Sequence, residues 1–338
     1  MKTFLYQTNE EITAVARLLQ EGQVVAIPTE TVYGLATNAL DEQAVRKIFA
    51  AKNRPADNPL IVHIAKREEL ASLVKEIPPM ALALADAFWP GPLTMVLPRS
   101  AVVPDVVTAG GDTVAVRMPS HPVARAIIEA CGFPLAAPSA NRSGSPSPTT
   151  AAHVMADMEG IIPAVFDGGE CQVGLESTVV SLVGDKPRLL RPGGITPEQL
   201  EHVVGEMDID PSITANVHLD KVSSPGMKYK HYAPRAQVTL LHGSCQSFVD
   251  FMNHHAEPDS VALCFDEEAS LINKQVLRIG HEHDHDEIAH NLFSLLREAD
   301  KQNVTRIYAH CPSRQGVGLA VYNRLIRAAA FDERELEA

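Results

Sequence analysis

At 338 residues the chain has room for two domains, and its 45% hydrophobic content is enough for sizeable cores, which excludes a wholly disordered protein. The formal net charge is −13: residues 1–205 hold 16 Lys and Arg against 22 Asp and Glu, and residues 206–338 hold 13 against 20. Neither half carries the basic excess of a dedicated nucleic-acid binder, although a local basic cleft stays open because field follows arrangement and not the sum. The five cysteines, Cys131, Cys171, Cys245, Cys264 and Cys311, are odd in number, widely spaced and form no Cys-x-x-Cys. Free thiols in a reducing compartment suit them better than a disulfide framework or a structural zinc site. With no run of about 18 apolar residues and no signal-peptide pattern, a soluble cytoplasmic protein without membrane contact is expected.

In chain order, Ile12, Val15, Ala16 and Leu19 fall at helical spacing over Glu10–Gln20. A buried strand is expected over Val24–Ile27, ended by Pro28, which lacks a backbone donor. Thr29, Glu30 and Thr31 then crowd the strand's carboxyl end, where open α/β sheets bind ligands. Gly34 lets the backbone turn there or come close to a neighbour. A helix over Gln43–Lys52 leads into Lys52-Asn53-Arg54-Pro55-Ala56-Asp57-Asn58-Pro59, a loop because of its two prolines. The pattern continues with a strand over Leu60–Ile64, helices over Arg67–Lys75 and Met80–Phe88, a Pro90-Gly91-Pro92 turn and a strand over Leu93–Leu97.

Thr113–Met118 reads as a strand and His121–Cys131 as a helix ended by Gly132. Ser139–Pro148 is a hydroxyl-rich loop stiffened by Pro146 and Pro148. A helix over Thr149–Met158, strands at Ala164–Phe166 and Ser177–Leu182, and a helix over Pro197–Val204 capped by Thr196 complete the first domain. The expected organisation is a catalytic domain over 1–205, a linker or lid over 206–235, and a C-terminal α/β domain over 236–338. That last domain follows from strand-like runs at Val238–Leu241, Val261–Phe265, Val276–Ile279 and Val304–Ala309 alternating with helix-like runs. Its last helix is Gly318–Ala330. The run His281-Glu282-His283-Asp284-His285-Asp286 sets no fixed metal geometry and reads as a solvated loop.

Lys52, Arg54, Arg142 and Arg191 supply several positive charges to an otherwise acidic chain, and a triphosphate is their natural counterpart. No Gly-x-x-x-x-Gly-Lys-Ser/Thr occurs, so side chains and hydroxyl-rich loops would have to hold the phosphates. Arg117 ends an apolar strand, and its fork suits a carboxylate, with an internal salt bridge as the bland alternative. His63 reads equally as a core histidine or a ligand contact.

Eight spaced segments resemble the YrdC-like family in its long two-domain form, the L-threonylcarbamoyladenylate synthases. They are Pro28–Leu35, Lys52–Arg54 with Asn58–Leu60, Trp89–Thr94, Val116–Pro119, Pro138–Gly144, Glu176–Val180, Arg191–Gly193 and Ser224–Pro234. The resemblance implies a twisted mixed-sheet catalytic domain plus a smaller Rossmann-like parallel α/β domain. It implies that L-threonine, bicarbonate and ATP give threonylcarbamoyl-AMP and pyrophosphate, the first step toward N6-threonylcarbamoyladenosine in tRNA. By the same resemblance Thr31, His63, Arg117, Thr178 and the Ala137 backbone would hold threonine. Lys52, Arg54, Asn58, Thr113, Ser139, Asn141, Ser147, Arg191 and a linker tyrosine, Tyr232 or Tyr229, would hold ATP. Magnesium would accompany ATP with no dedicated protein cage. No general base stands out, and Lys52 and His63 are the catalytic candidates. The product would pass to the tRNA threonylcarbamoyl transferase machinery. Weak RNA contact and a sister enzyme acting on another carbamate remain open as alternatives.

Overall fold

The computed structural model describes residues 1–215, 232–302 and 304–337. The stretch expected to act as a lid lies largely outside them, including Met227, Lys228, Tyr229, Lys230 and His231. The chain forms two compact units. One comprises Met1–Ser143, Ser147–Gln172 and Glu176–Lys228, the other Gly144–Pro146, Val173–Leu175 and Tyr229–Ala338.

The first unit is built on an eleven-stranded mixed sheet. In chain order its strands are β1 (Phe4–Tyr6), β2 (Val25–Ile27), β3 (Gly34–Asn38), β4 (Ile61–His63), β5 (Leu93–Pro98), β6 (Thr113–Arg117), β7 (Leu135–Ala136), β8 (Ala164–Phe166), β9 (Thr178–Ser181), β10 (Arg188–Arg191) and β11 (Asp208–Ile209). Their order across the sheet is β1-β8-β2-β3-β7-β4-β6-β5-β9-β10-β11. Helices Ile12–Gln20 and Pro122–Cys131 close one face. Their Val15, Leu19, Ile127 and Ile128 pack with Val25, Ile27, Leu135 and Phe166, all essentially removed from water.

The loop expected after Val24–Ile27 is in part a strand, and two further expectations need correction. Of its two readings Gly34 takes the close approach: it opens β3, where a Cβ would come 3.1 Å from the Ala137 Cβ. β3 escaped the alternation test because it lies between two strands and nearly all of it is buried. Asp208–Ile209, read as linker, pairs parallel with β10. Two residues are too few to show a period. Arg67–Lys75 holds only a helical turn at Arg67–Glu69 and a four-residue helix, Leu70–Leu73.

The second unit carries an all-parallel sheet of β12 (Gln237–His242), β13 (Ser260–Cys264), β14 (Gln275–Arg278), β15 (Arg306–His310) and β16 (Glu333–Glu335), ordered β14-β13-β15-β12-β16. β16 was not expected, because its three residues are charged and exposed. Helix His285–Ala299 starts inside the histidine-rich run, with Asp284 as cap. His281 sits exposed beside Glu267. Among the described residues no group of three or more His, Cys, Asp or Glu is placed to hold a metal ion, and all five cysteines are unpaired.

Two tripeptides from mid-chain belong to this second unit. At Gly174 a Cβ would lie 2.5 Å from the His290 Cα, so only glycine permits that approach. Arg297 donates to the Pro146 carbonyl at 2.6 Å, and the Ala233 amide to the Gly144 carbonyl at 2.9 Å. At the carboxyl ends of β13 and β15, Glu268 and His310 form a buried pair. His310 Nδ1 lies 2.5 Å from Glu268 Oε1, and its Nε2 lies 3.1 Å from the Gly243 carbonyl. The Phe265 amide donates to the other Glu268 oxygen at 3.0 Å, and the Phe248 ring stacks on the imidazole at 4.6 Å. Burial opposes charge on His310, but the Glu268 carboxylate and the Gly243 carbonyl together raise its pKa.

Candidate active site

Strand register assembles the site. β4 and β6 run parallel with His63 beside Arg117, and β5 runs antiparallel to β6 with Thr94 beside Arg117. Side chains alternate along a strand, so Thr113 shares the Arg117 face of β6 but lies four residues earlier, about 13 Å away. One sheet face therefore carries His63, Arg117 and Thr94 toward one end and Thr113 toward the other.

The guanidinium of Arg117 is the centre of the first group. Its Nη1 donates to Thr31 Oγ1 at 2.8 Å and its Nε to the Gly91 carbonyl at 3.3 Å. Its Nη2 meets Glu30 Oε1 at 2.7 Å in an ion pair whose side chains are each 4% exposed. That contact is off hydrogen-bond geometry: among the described residues neither Glu30 oxygen accepts a well-directed hydrogen bond, and Arg117 Nη2 donates none. Burial pushes the Glu30 pKa up, but the adjacent Arg117 guanidinium, helped by the nearby Ser120 backbone, outweighs it and holds the carboxyl below its ordinary range. Thr29 braces the loop, its hydroxyl 2.9 Å from that of Thr31 and donating to the Val32 carbonyl at 2.6 Å.

His63 is buried at the end of β4, with Nδ1 3.2 Å from the Ile61 carbonyl. Burial, then the nearby Arg117 charge, lower its pKa to about 3, so the ring is neutral at neutral pH. Next to this group Thr94 and Ser177 share a hydrogen bond of 2.8 Å. Arg191 donates to the Ser177 carbonyl at 3.0 Å and to its hydroxyl at 3.2 Å.

The second group gathers the loops that precede β4 and follow β7. Helix Glu42–Lys52 is capped by the Asp41 carboxylate, which accepts from the Gln43 and Ala44 amides, and it stops at Asn53, whose φ is 49°. Its last residue, Lys52, is buried. The ammonium donates to the Ser139 carbonyl at 2.5 Å, the Asn141 carbonyl at 2.7 Å and Asn141 Oδ1 at 3.3 Å. Arg54 donates to the Asn58 carbonyl at 3.1 Å and lines an open concavity with Arg46, Phe49 and Asn53. Asn58 is fully buried, yet neither amide atom of its side chain has a hydrogen-bond partner among the described residues. Ser147 and Glu176, both buried, hydrogen-bond to each other.

The structure thus brings Thr31, His63, Arg117 and Arg191 into one region and Lys52, Ser139 and Asn141 into another. Four of the expected residues have partners within the protein. The Thr178 hydroxyl is clasped by the Ile195 backbone, donating to its carbonyl at 2.6 Å and accepting from its amide at 3.0 Å. The Ala137 amide serves the sheet, bonded to the Ile61 carbonyl at 3.0 Å. Arg142 is exposed and donates to the Asp157 carbonyl at 3.0 Å, so it does not join the cationic group. Tyr232 belongs to the second unit, its ring 5.2 Å from Phe293 and 5.6 Å from the Arg324 guanidinium. Sequence reading placed Glu30 in a polar cluster without a role and gave none to Glu176, Thr94 or Ser177. Their signal was their place inside the motifs, next to residues that did receive roles.

A model of Sua5, YciO and YrdC proteins, described as "Telomere recombination", matches residues 17–193, and a model described as the threonylcarbamoyl-AMP synthase C-terminal domain matches residues 195–330. The threonylcarbamoyl-AMP synthase of Pyrococcus abyssi is 48% identical over 330 residues, covering 95% of this chain and 94% of the relative. That of Bacillus subtilis is 45% identical over 327 residues, again 95% and 94%. Among solved structures, P. abyssi Sua5 complexed with L-threonine superposes with a TM-score of 0.92 at 45% identity, covering 99% of this chain and all of that one. Escherichia coli YciO, at 22% identity and a TM-score of 0.51, shares the fold over 56% of this chain. The chain belongs to the Sua5/YciO/YrdC family, in its long form with the additional C-terminal domain.

Proposed function

We propose that the protein is a threonylcarbamoyl-AMP synthase, a nucleotidyltransferase that joins L-threonine, bicarbonate and ATP into threonylcarbamoyl-AMP and pyrophosphate. The observation that carries this reading is similarity along nearly the whole chain to relatives of that name. The site agrees with it. In our reading Arg117 takes the threonine carboxylate, with Thr31 steadying the guanidinium. His63, neutral and buried, faces the same substrate and does not shuttle protons near neutrality. Asn58, Arg54, Thr113, Ser139, Asn141, Ser147 and Arg191 hold ATP. Lys52 pins the Ser139–Asn141 loop, so its contribution is to position that loop.

The threonine ammonium first gives up a proton to water, and the free amine then attacks the carbon of bicarbonate, giving the carbamate and one molecule of water. The carbamate oxygen then attacks the α-phosphorus, and pyrophosphate departs. The carbamate is labile, so a buried site that excludes water and keeps both reactants adjacent supplies much of the acceleration. Arginine side chains offset charge on the departing phosphates. Magnesium would accompany ATP, with no dedicated protein cage in this reading. The mixed anhydride product is suited to a transferase that presents an amine on tRNA.

The test is pyrophosphate release measured with each substrate left out in turn, with the product from labelled bicarbonate identified by mass. Release that needs both threonine and bicarbonate is expected. Release from ATP that ignores threonine would refute the reading.

A further inference from the structure

Two buried charged groups side by side normally satisfy one another. Glu30 and Arg117 touch at 2.7 Å and the Ser120 backbone lies near the carboxylate, yet among the described residues neither Glu30 oxygen nor Arg117 Nη2 makes a well-directed hydrogen bond. Unmade polar bonds in a site this dry are costly unless a ligand completes them. What is missing is specific: an anion for the Nη2 donor and a cationic donor for the Glu30 oxygens. A free α-amino acid is a zwitterion whose ammonium and carboxylate are joined through a single carbon. It therefore offers both complements at about the separation of the two protein groups.

We infer that Glu30 is a substrate-binding residue that takes the α-ammonium of the amino acid while Arg117 takes its carboxylate. This rests on the proposed reading that the site receives L-threonine. Glu30 then discriminates amino acids from analogues of the same shape that lack the amine. The surrounding scaffold keeps the carboxylate from drifting. Thr29 and Thr31 hold its loop, and the Gly168 backbone is in close contact with Pro28 just before it.

The test compares binding of two probes by calorimetry, L-threonine and 3-hydroxybutyrate, which keeps the carboxylate and hydroxyl but lacks the amine. Wild-type protein should bind threonine and take 3-hydroxybutyrate far more weakly. Glu30→Gln should weaken threonine about 30-fold or more, as expected when a buried charged partner is lost, and leave 3-hydroxybutyrate unchanged or tighter. Glu30→Asp, which keeps the charge, should recover part of the threonine affinity, and thermal melts of both variants check folding. Equal loss of both probes in Glu30→Gln would reduce Glu30 to a brace for Arg117 and overturn the inference. Unchanged threonine affinity would overturn it too. If wild-type protein ignores threonine, the functional reading itself fails, an outcome separate from either of these.

Discussion

Two buried acid–base pairs, Glu268 with His310 and Glu30 with Arg117, are finished differently. In the second unit, one Glu268 oxygen meets His310 and the other the Phe265 amide, while the remaining ring nitrogen of His310 faces the Gly243 carbonyl. In the first unit, Glu30 and Arg117 are equally buried, but their geometry leaves polar atoms unspent. We read the closed pair as a structural device and the open one as the place of the inferred ammonium and carboxylate contacts. Burial alone does not distinguish the two, but hydrogen-bond completeness does.

The largest effect should come from breaking the closed pair. Glu268→Leu strands a buried imidazole and should cost about 3–5 kcal/mol of stability, read as a lower melting temperature. The fraction that remains folded should keep its threonine KM, and a changed KM would remove the contrast between the pairs. Second is pH, where His63 and His310 act with opposite signs. The folded pKa of His63, about 3, lies below its ordinary 6.5, so its contribution is complete above 6.5 and is lost as pH falls toward 3. The pKa of His310 is raised, so its contribution is complete below 6.5 and fades as pH rises through the folded value. Melting curves from acid to mildly alkaline pH should therefore show the alkaline decline flatten in His310→Gln and the acid decline flatten in His63→Gln. The same limb changing in both variants would contradict these assignments.

Third, Arg117→Ala opens the unfinished pair further. Threonine-dependent pyrophosphate release at low threonine should fall by about 2 kcal/mol or more in kcat/KM. A wild-type KM for threonine would dismiss the carboxylate role. The smallest effect sharpens the same point at Asn58. Its amide makes no hydrogen bond to the described residues, so Asn58→Ala should change stability by less than about 1 kcal/mol while raising the KM for ATP. A large stability loss with unchanged KM would make Asn58 structural.

Much of this was legible in the sequence. The element order and the parallel tail followed from periodicity and turn residues. Thr31, His63, Arg117 and Arg191 were nominated from their motifs. What escaped was partnership. Lys52 and Arg142 look alike as cations on polar loops, but one donates to three oxygens in buried surroundings and the other stays exposed against Asp157. Thr178 sits in a motif, yet its hydroxyl closes on Ile195, 17 residues later. Glu30 looked like one polar residue among three until register brought Arg117, 87 positions away, against it. Such pairings depend on long-range register, which no local pattern encodes.

The second unit also claims Gly144–Pro146 and Val173–Leu175, far upstream of its main body. No single cleavage of the backbone would therefore release either unit intact. A truncated protein ending near Lys228 would strip the Pro146 carbonyl of its Arg297 donor and leave Gly174 without the helix it packs on. Both tripeptides lead directly into Ser147 and Glu176, so shortening the chain from its tail would loosen the anchorage of residues more than fifty positions before the cut.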